Sequence, residues 1–238
     1  MAKERLDKVL ARQGIGSRSQ VKDLVRQGQV QINARPAKSP DEKVDLEQDV
    51  IVVSGQQVTL SRHVYLMMNK PKGVVSATRD GDCPTVLDLV PPELRRRGLF
   101  PAGRLDKDTV GFVLITDDGD FAHRMLSPRK HVRKTYQAQL EKPVTQADVH
   151  AFAQGMTLAS GEVCLPALLQ PLADCEGAPM AQVILQEGMY HQIKRMFAAR
   201  GNRVVELMRT KLGDLELDPT LKPGECREIN DKERALIL

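Results

Sequence analysis

Five apolar, strand-like runs punctuate the chain from Val64 onward: VYLMMNKP, GFVLIT, KTYQAQLE, AQVILQE and RVVELMRTKL. Between them lie helix-like segments: TVLDLV, the region around FAHRML, QADVHAFAQG and YHQIKRMFAAR. A regular strand–helix–strand repeat would give parallel neighbours joined by crossovers, and this spacing has no such period. The pattern predicts an α+β fold, with a mixed, mostly antiparallel sheet and flanking helices, over residues 64–238. Neither a Walker loop nor GxGxxG occurs, so a nucleotide cofactor has no foothold and none is expected.

Upstream the texture differs. Leu6, Val9 and Leu10, and again Val21, Leu24 and Val25, recur at i, i+3, i+4 and predict two short amphipathic helices. Ser17 or Ser19 suits the N-cap of the second helix, and Gly28 suits its stop. Arg18, Lys22 and Arg26 recur every four residues as a cationic stripe away from the apolar one. VQI, the turn NARP and VIVV read as a small sheet. The run RLDKVLARQGIGSRSQVKDLVRQGQVQIN resembles the S4 domain, a small RNA-binding module, over about residues 3–50. Ala34 stands where such domains usually carry Gly, a departure that alters the turn and not the binding face. The polar stretch SGQQVTLSRH suits a linker. The expected organisation is an S4-like domain over 1–55, a linker over 56–63 and a larger domain over 64–238.

Charge is unevenly spread. Residues 1–38 hold nine Lys/Arg against three acids, and residues 41–49 hold five acids against one Lys. A second basic island, HRMLSPRKHVRK at 123–134, includes Arg129, Lys130 and Arg133. Each cluster alone is accounted for by a solvated face; together they suit a phosphate backbone. No apolar stretch approaches the roughly 20 residues of a membrane helix, and the N-terminus lacks an apolar signal core, so a cytoplasmic protein is expected. The cysteines at 83, 164, 175 and 226 lack metal-ligand spacing, and the histidines form no HxxxH or HExxH pattern, so no metal is expected.

Three segments carry candidate chemistry. FPAGRLDKDTVG places Arg104, Asp106, Lys107 and Asp108 at the mouth of the apolar run GFVLIT. In isolation a solvated charged turn would explain it. In GMYHQIKRMF a helix would set Lys194 within the stripe of Tyr190, Ile193 and Phe197. Such a lysine either extends its head to water or pairs with a carboxylate, for which Asp106 is the unclaimed candidate. KTY puts Tyr136 at a strand start, where a cross-strand packing role is the plain alternative.

Together, MNKPKG, GRLDKDTVGFVLITDDGD, SPRKHVRKTY and EGMYHQIKRMFAARGNRVVELMR resemble the RsuA-type pseudouridine synthases over essentially the whole chain. PTVLDLV, TDDGD, SPRKH and YHQIKRMFAARGN are closer to the members acting on small-subunit RNA than to the large-subunit relatives. The resemblance implies isomerisation of one uridine, uridine 516 of 16S ribosomal RNA, free or in an assembly particle, by a monomer without cofactor. It implies Asp106 as the catalytic residue, Lys194 holding it charged, Tyr136 stacking on the uracil and Ile193 as apolar wall. Arg104 would enter the space left by the flipped base, while Lys107 and Asp108 read as surface residues. Arg18, Lys22, Arg26 and the 123–134 island would hold phosphates. Two alternatives remain at this level: a catalytically silent S4-bearing assembly factor, and a hydrolase pairing Asp106 with Asp108.

Overall fold

A computed structural model of the chain describes residues 3–58, 60, 62–127, 130 and 132–238. The chain divides into two compact units, Met1–Val64 with Pro91–Leu99, and Tyr65–Val90 with Phe100–Leu238. The excursion 91–99, expected in the larger domain, thus groups with the first unit.

The first unit runs β1 (Glu4–Arg5), α1 (Leu6–Arg12), α2 (Arg18–Arg26), β2 (Val30–Ile32), β3 (Arg35–Pro36), β4 (Lys43–Val44), β5 (Ile51–Val53) and β6 (Gln56–Val58). Ser17 caps α2 in a reciprocal box: its side chain accepts from Gln20 N–H at 3.2 Å, and Gln20 Oε1 accepts from Ser17 N–H at 2.7 Å. Such a cap contributes about 1 kcal/mol. Leu6, Val9, Leu10, Val21 and Val25 are buried against β2 and β5 residues such as Ile32 and Ile51, as their spacing predicted. The four strands order as β3-β2-β5-β6, all antiparallel neighbours. Gln56–Val58 is a strand, so the expected linker begins later than residue 56; Thr59 and Ser61 of that stretch lie outside the described residues. At the β2–β3 turn both Asn33 (φ 50°) and Ala34 (φ 62°) are left-handed. Glycine is the usual solution there because a β-carbon is crowded in that region.

The second unit begins with β7 (Tyr65–Lys70), β8 (Phe100–Ala102), β9 (Val110–Thr116), α3 (Gly119–Leu126), β10 (Lys134–Leu140) and α4 (Gln146–Gln154). It continues through β11 (Met156–Thr157), β12 (Val163–Cys164), β13 (Leu168–Cys175), β14 (Ala178–Leu185), α5 (Gln192–Ala199), β15 (Val204–Leu212), β16 (Leu215–Glu216), β17 (Cys226–Glu228) and α6 (Asp231–Ala235). Seven strands order as β13-β14-β10-β15-β9-β7-β17, with β16 against β15 and β8 against β9. Among the described residues only β15 and β9 run parallel in this sheet, so the fold is α+β with a mixed, mostly antiparallel sheet. Every residue of β7 is buried, which is why YLMMNK reads as a continuous run and not as an alternating one. Tyr65, Met67, Phe112, Leu114, Phe121 and Met125 join in one core.

Two helix expectations change. TVLDLV is a turn, not a helix: Asp88 Oδ2 accepts from Thr85 N–H at 2.7 Å and from Thr85 Oγ1 at 2.9 Å, so a local side-chain cap replaces helical bonding. The helix containing Lys194 starts at Gln192, leaving Tyr190 outside it.

A single row of paired residues crosses four strands of the sheet. Lys70 of β7 pairs with Gly111 of β9, Gly111 with Arg209 of β15, and Arg209 with Tyr136 of β10. A β-carbon on Gly111 would lie 2.3 Å from the Arg209 carbonyl oxygen, and its φ is +98°. The glycine of TVG therefore permits the parallel junction on which the row depends.

Candidate active site

The loop carrying GRLDKD leaves β8 through Gly103, at φ 93°, and enters β9. It is bonded along its length. Ser76 Oγ accepts from Leu105 N–H at 3.1 Å and donates to the Leu105 carbonyl at 3.2 Å. Gly73 N–H donates to the Lys107 carbonyl at 2.9 Å. Lys70, fully buried, donates from Nζ to the carbonyls of Thr109 at 2.8 Å, Pro71 at 3.1 Å and Lys107 at 3.3 Å. Burial pushes its ammonium pKa down to about 8, against the pull of the Asp108 and Asp106 carboxylates. A solvated turn would need none of these bonds.

Asp106 rises from this loop with its side chain 27% exposed. Lys194 Nζ, from the first turn of α5, lies 3.5 Å from Oδ2, and His191 Nε2, from the residue capping α5, lies 3.5 Å from Oδ1. Lys194 lies closer to Asp108 Oδ1, at 2.5 Å. That bond holds the Asp108 carboxyl below the usual carboxylate range. Asp108, expected as a plain surface residue, is exposed but belongs to the charge set of the site. Its position two residues beyond Asp106 lets both carboxylates share one cation.

The other expected residues fall as follows. Tyr136 is buried on β10, in the row that ends at Lys70 beneath the loop. Ile193 is buried on α5. Arg104 is exposed beside Asp106 in the chain. Tyr190, expected in an apolar helical stripe with Ile193 and Phe197, is 73% exposed because α5 begins after it. Arg18, Lys22 and Arg26 are all exposed on α2; Arg18 lies 3.5 Å from Asp7 and Arg26 3.0 Å from Asp23. Lys130 and Arg133 are exposed, with Arg133 3.0 Å from Asp214, while Arg129 lies outside the described residues. Lys134, part of the same basic island, is buried, donates to the Val132 carbonyl at 3.1 Å, and has its pKa pushed down to about 8 by burial. That lysine does not present its charge on the surface.

A family model described as RNA pseudouridylate synthase matches residues 64–199, more than half the chain. The chain belongs to that family. An S4 domain model matches residues 4–51, a span that contains α1, α2, β2 and β3 and reaches the first residue of β5. This synthase is 46% identical over 233 residues to an uncharacterized RNA pseudouridine synthase of Bacillus subtilis, covering 98% of each chain. It is 42% identical to the ribosomal small subunit pseudouridine synthase A of Yersinia pestis, over 98% of this chain and 97% of that one. With the protein of that name from Escherichia coli K12 it shares 39% identity over 98% of this chain and 100% of the other. A crystal structure titled pseudouridylate synthase aligns with TM-score 0.68 and 39% identity, covering 99% of this chain and 100% of that one. The synthase is thus an isomerase of the RsuA type.

Sequence reasoning missed Lys70 and His191. Lys70 follows the run VYLMM and Asn69 and stands immediately before a proline, at the end of a strand that is buried throughout. His191 had no signal of its own, because the helical pattern of YHQIKRMFAAR ran through it. Lys194 also lines a cavity of about 440 Å³ with Lys72, Asp108, Asn202, Arg203 and Leu207. Among the described residues no group of three or more His, Cys, Asp or Glu could hold a metal, and no helix is long and apolar enough to cross a membrane.

Proposed function

We propose that this chain converts uridine 516 of 16S ribosomal RNA to pseudouridine, with Asp106 as its catalytic residue. The observation carrying the reading is the setting of the Asp106 carboxylate: partly open on a loop held through Leu105, Lys107 and Thr109, with Lys194 facing one oxygen and His191 the other. The small-subunit substrate is supported by the printed names of the relatives from Yersinia and Escherichia.

Isomerisation breaks the N1–C1′ bond, turns the uracil and rejoins it through C5. C1′ gains cationic character as the first bond breaks, and a directed carboxylate stabilises it as in glycoside hydrolysis. Attack on C1′ and removal of a ribose proton both require the same ionised, aimed oxygen. Lys194 supplies the opposite charge that faces the Asp106 carboxylate and helps direct it. Tyr136 stacks on the uracil and relays the C5 proton to solvent, its phenol passing on its own hydrogen as it accepts the other, with Ile193 as apolar wall. The target nucleotide leaves its stack to reach the carboxylate, and exposed Arg104 enters the vacated space. Residues 1–55 act as the S4-like module, with Arg18, Lys22 and Arg26 on phosphates, joined by Arg129, Lys130 and Arg133 of the larger domain.

The test uses 16S transcript, alone and in small-subunit particles, with tritium at uracil C5. Rejoining through C5 expels that hydrogen, so the wild-type chain releases tritium while Asp106→Asn binds the RNA with similar affinity and releases none. Release by Asp106→Asn within tenfold of wild type removes Asp106 from its role. Binding without any release by the wild-type chain would instead favour a silent assembly factor.

A further inference from the structure

Eight aromatic side chains, Phe and Tyr without Trp, serve the 238 residues. Among the described residues only Tyr190 is a large aromatic left mostly exposed, at 73%. Its ring is not loose. It stacks on the imidazole of His191, with centroids 3.8 Å apart and planes 17° from parallel. The same imidazole reaches Asp106 Oδ1 through Nε2, at 3.5 Å. The two rings therefore form a short stack leading outward from the catalytic carboxylate, and its outer member is open to solvent.

The backbone beneath the stack is fixed from several sides. Gln192, buried, accepts from Met189 N–H at 3.0 Å and donates to Glu187. Arg195 donates from Nη1 to the Tyr190 carbonyl at 3.0 Å, and its own N–H donates to the His191 carbonyl at 2.9 Å. Arg195 is in turn paired with Glu162. These bonds hold His191 in the left-handed region, at φ 48° and ψ 34°, a conformation that costs energy in a residue with a β-carbon. The strained turn is what brings both rings onto one stack beside Asp106.

An exposed, rigid aromatic face next to a site that receives an extruded nucleotide has a natural ligand. Single-stranded bases are held by stacking on aromatic rings, a contact that tolerates any base because every base has a π-face. We propose that Tyr190, backed by His191, is a stacking platform for the nucleobase adjoining the target uridine, so that the site grips two nucleotides of the RNA. The inference rests on the RNA substrate proposed above. It adds a second nucleobase subsite, while the chemistry stays with Asp106.

The experiment places 2-aminopurine on either side of uridine 516 in a 16S transcript and follows its fluorescence on binding. Full chains carrying Asp106→Asn, which prevents turnover, are compared with Tyr190, with Tyr190→Phe and with Tyr190→Ala. Stacking quenches the probe at one flank with Tyr190 and with Tyr190→Phe, and Tyr190→Ala loses that quenching. In the otherwise wild-type chain Tyr190→Ala weakens transcript binding about tenfold or more, as expected for the loss of one base–aromatic stack, and Tyr190→Phe restores it. Quenching that is absent with Tyr190, or unchanged in Tyr190→Ala, overturns the platform. Tritium release decides the underlying reaction separately: a wild-type chain that releases none from uridine 516 overturns that reading, and a releasing chain indifferent to Tyr190→Ala overturns only the platform.

Discussion

Lys194 stands between two carboxylates, 3.5 Å from Asp106 and 2.5 Å from Asp108. Removing its charge takes away the ammonium that faces both carboxylates and helps aim Asp106. Lys194→Met keeps the length of the side chain, so α5 should still pack through Ile193, Met196 and Phe197. Turnover is expected to fall on the order of a hundredfold. Adding Lys194→Met to Asp106→Asn costs no further activity, because both changes strike one unit. Single-turnover rates of the three variants check this. A Lys194→Met rate matching wild type would mean that the ammonium takes no part. The same ion pair also makes stability depend on pH. The folded Asp108 pKa is depressed by Lys194, so the contribution is present above the unfolded carboxyl pKa and lost as pH falls through the folded one. Asp108 is 71% exposed, so screening keeps that difference under about 1 kcal/mol.

At the scale of elements, β7 and the loop before β9 form one unit, tied by the Lys70 ammonium to three carbonyls. Lys70→Met leaves those carbonyls without their donor and should destabilise the chain by about 2–3 kcal/mol near neutral pH. The pH dependence has a definite sign. The folded Lys70 pKa is lowered from 10.5 to about 8, so burial of the charge costs stability below pH 8. That cost is relieved as pH rises from 8 toward 10.5. Denaturant melts of wild type and Lys70→Met across that window should therefore diverge, wild type gaining stability relative to the variant; a constant difference would mean that Lys70 does not titrate there. This unit also marks the limit of legibility. Strands such as VYLMMNK and GFVLIT were readable because unbroken apolar runs survive in any context. TVLDLV misled because its apolar spacing resembles a helix, while the Thr85–Asp88 cap that decides the turn is a local competition between side chain and backbone. The start of α5 misled for a related reason. The stripe Tyr190, Ile193, Lys194 and Phe197 fits helical spacing, but the left-handed His191 interrupts it before the helix begins.

Across the whole molecule, the Asp106–Lys194 juxtaposition was anticipated from charge left unpartnered in two motifs 88 residues apart. The share that Asp108 takes in it was not, because the loop conformation that turns both carboxylates to one cation has no local signature. The grouping of Pro91–Leu99 with the first unit was equally hidden, since it depends on neighbours remote in sequence. On the function proposed above, the exposed cations of α2 meet RNA phosphates. Replacing Arg18, Lys22 and Arg26 together by Ala in the full chain should lower the slope of log affinity against log salt by about 2–3, close to one unit for each phosphate no longer neutralised. An unchanged slope would mean that α2 does not meet the backbone.

The central claim is that Asp106 of this chain makes one pseudouridine in 16S ribosomal RNA. Pseudouridine mapping of that RNA from cells lacking the chain, with either wild type or Asp106→Asn supplied in its place, tests it most directly. The expected result is a single position, uridine 516, unmodified in the deficient cells, restored by wild type and left unmodified by Asp106→Asn. Modification of that uridine without the chain, or its restoration by Asp106→Asn, would contradict the claim.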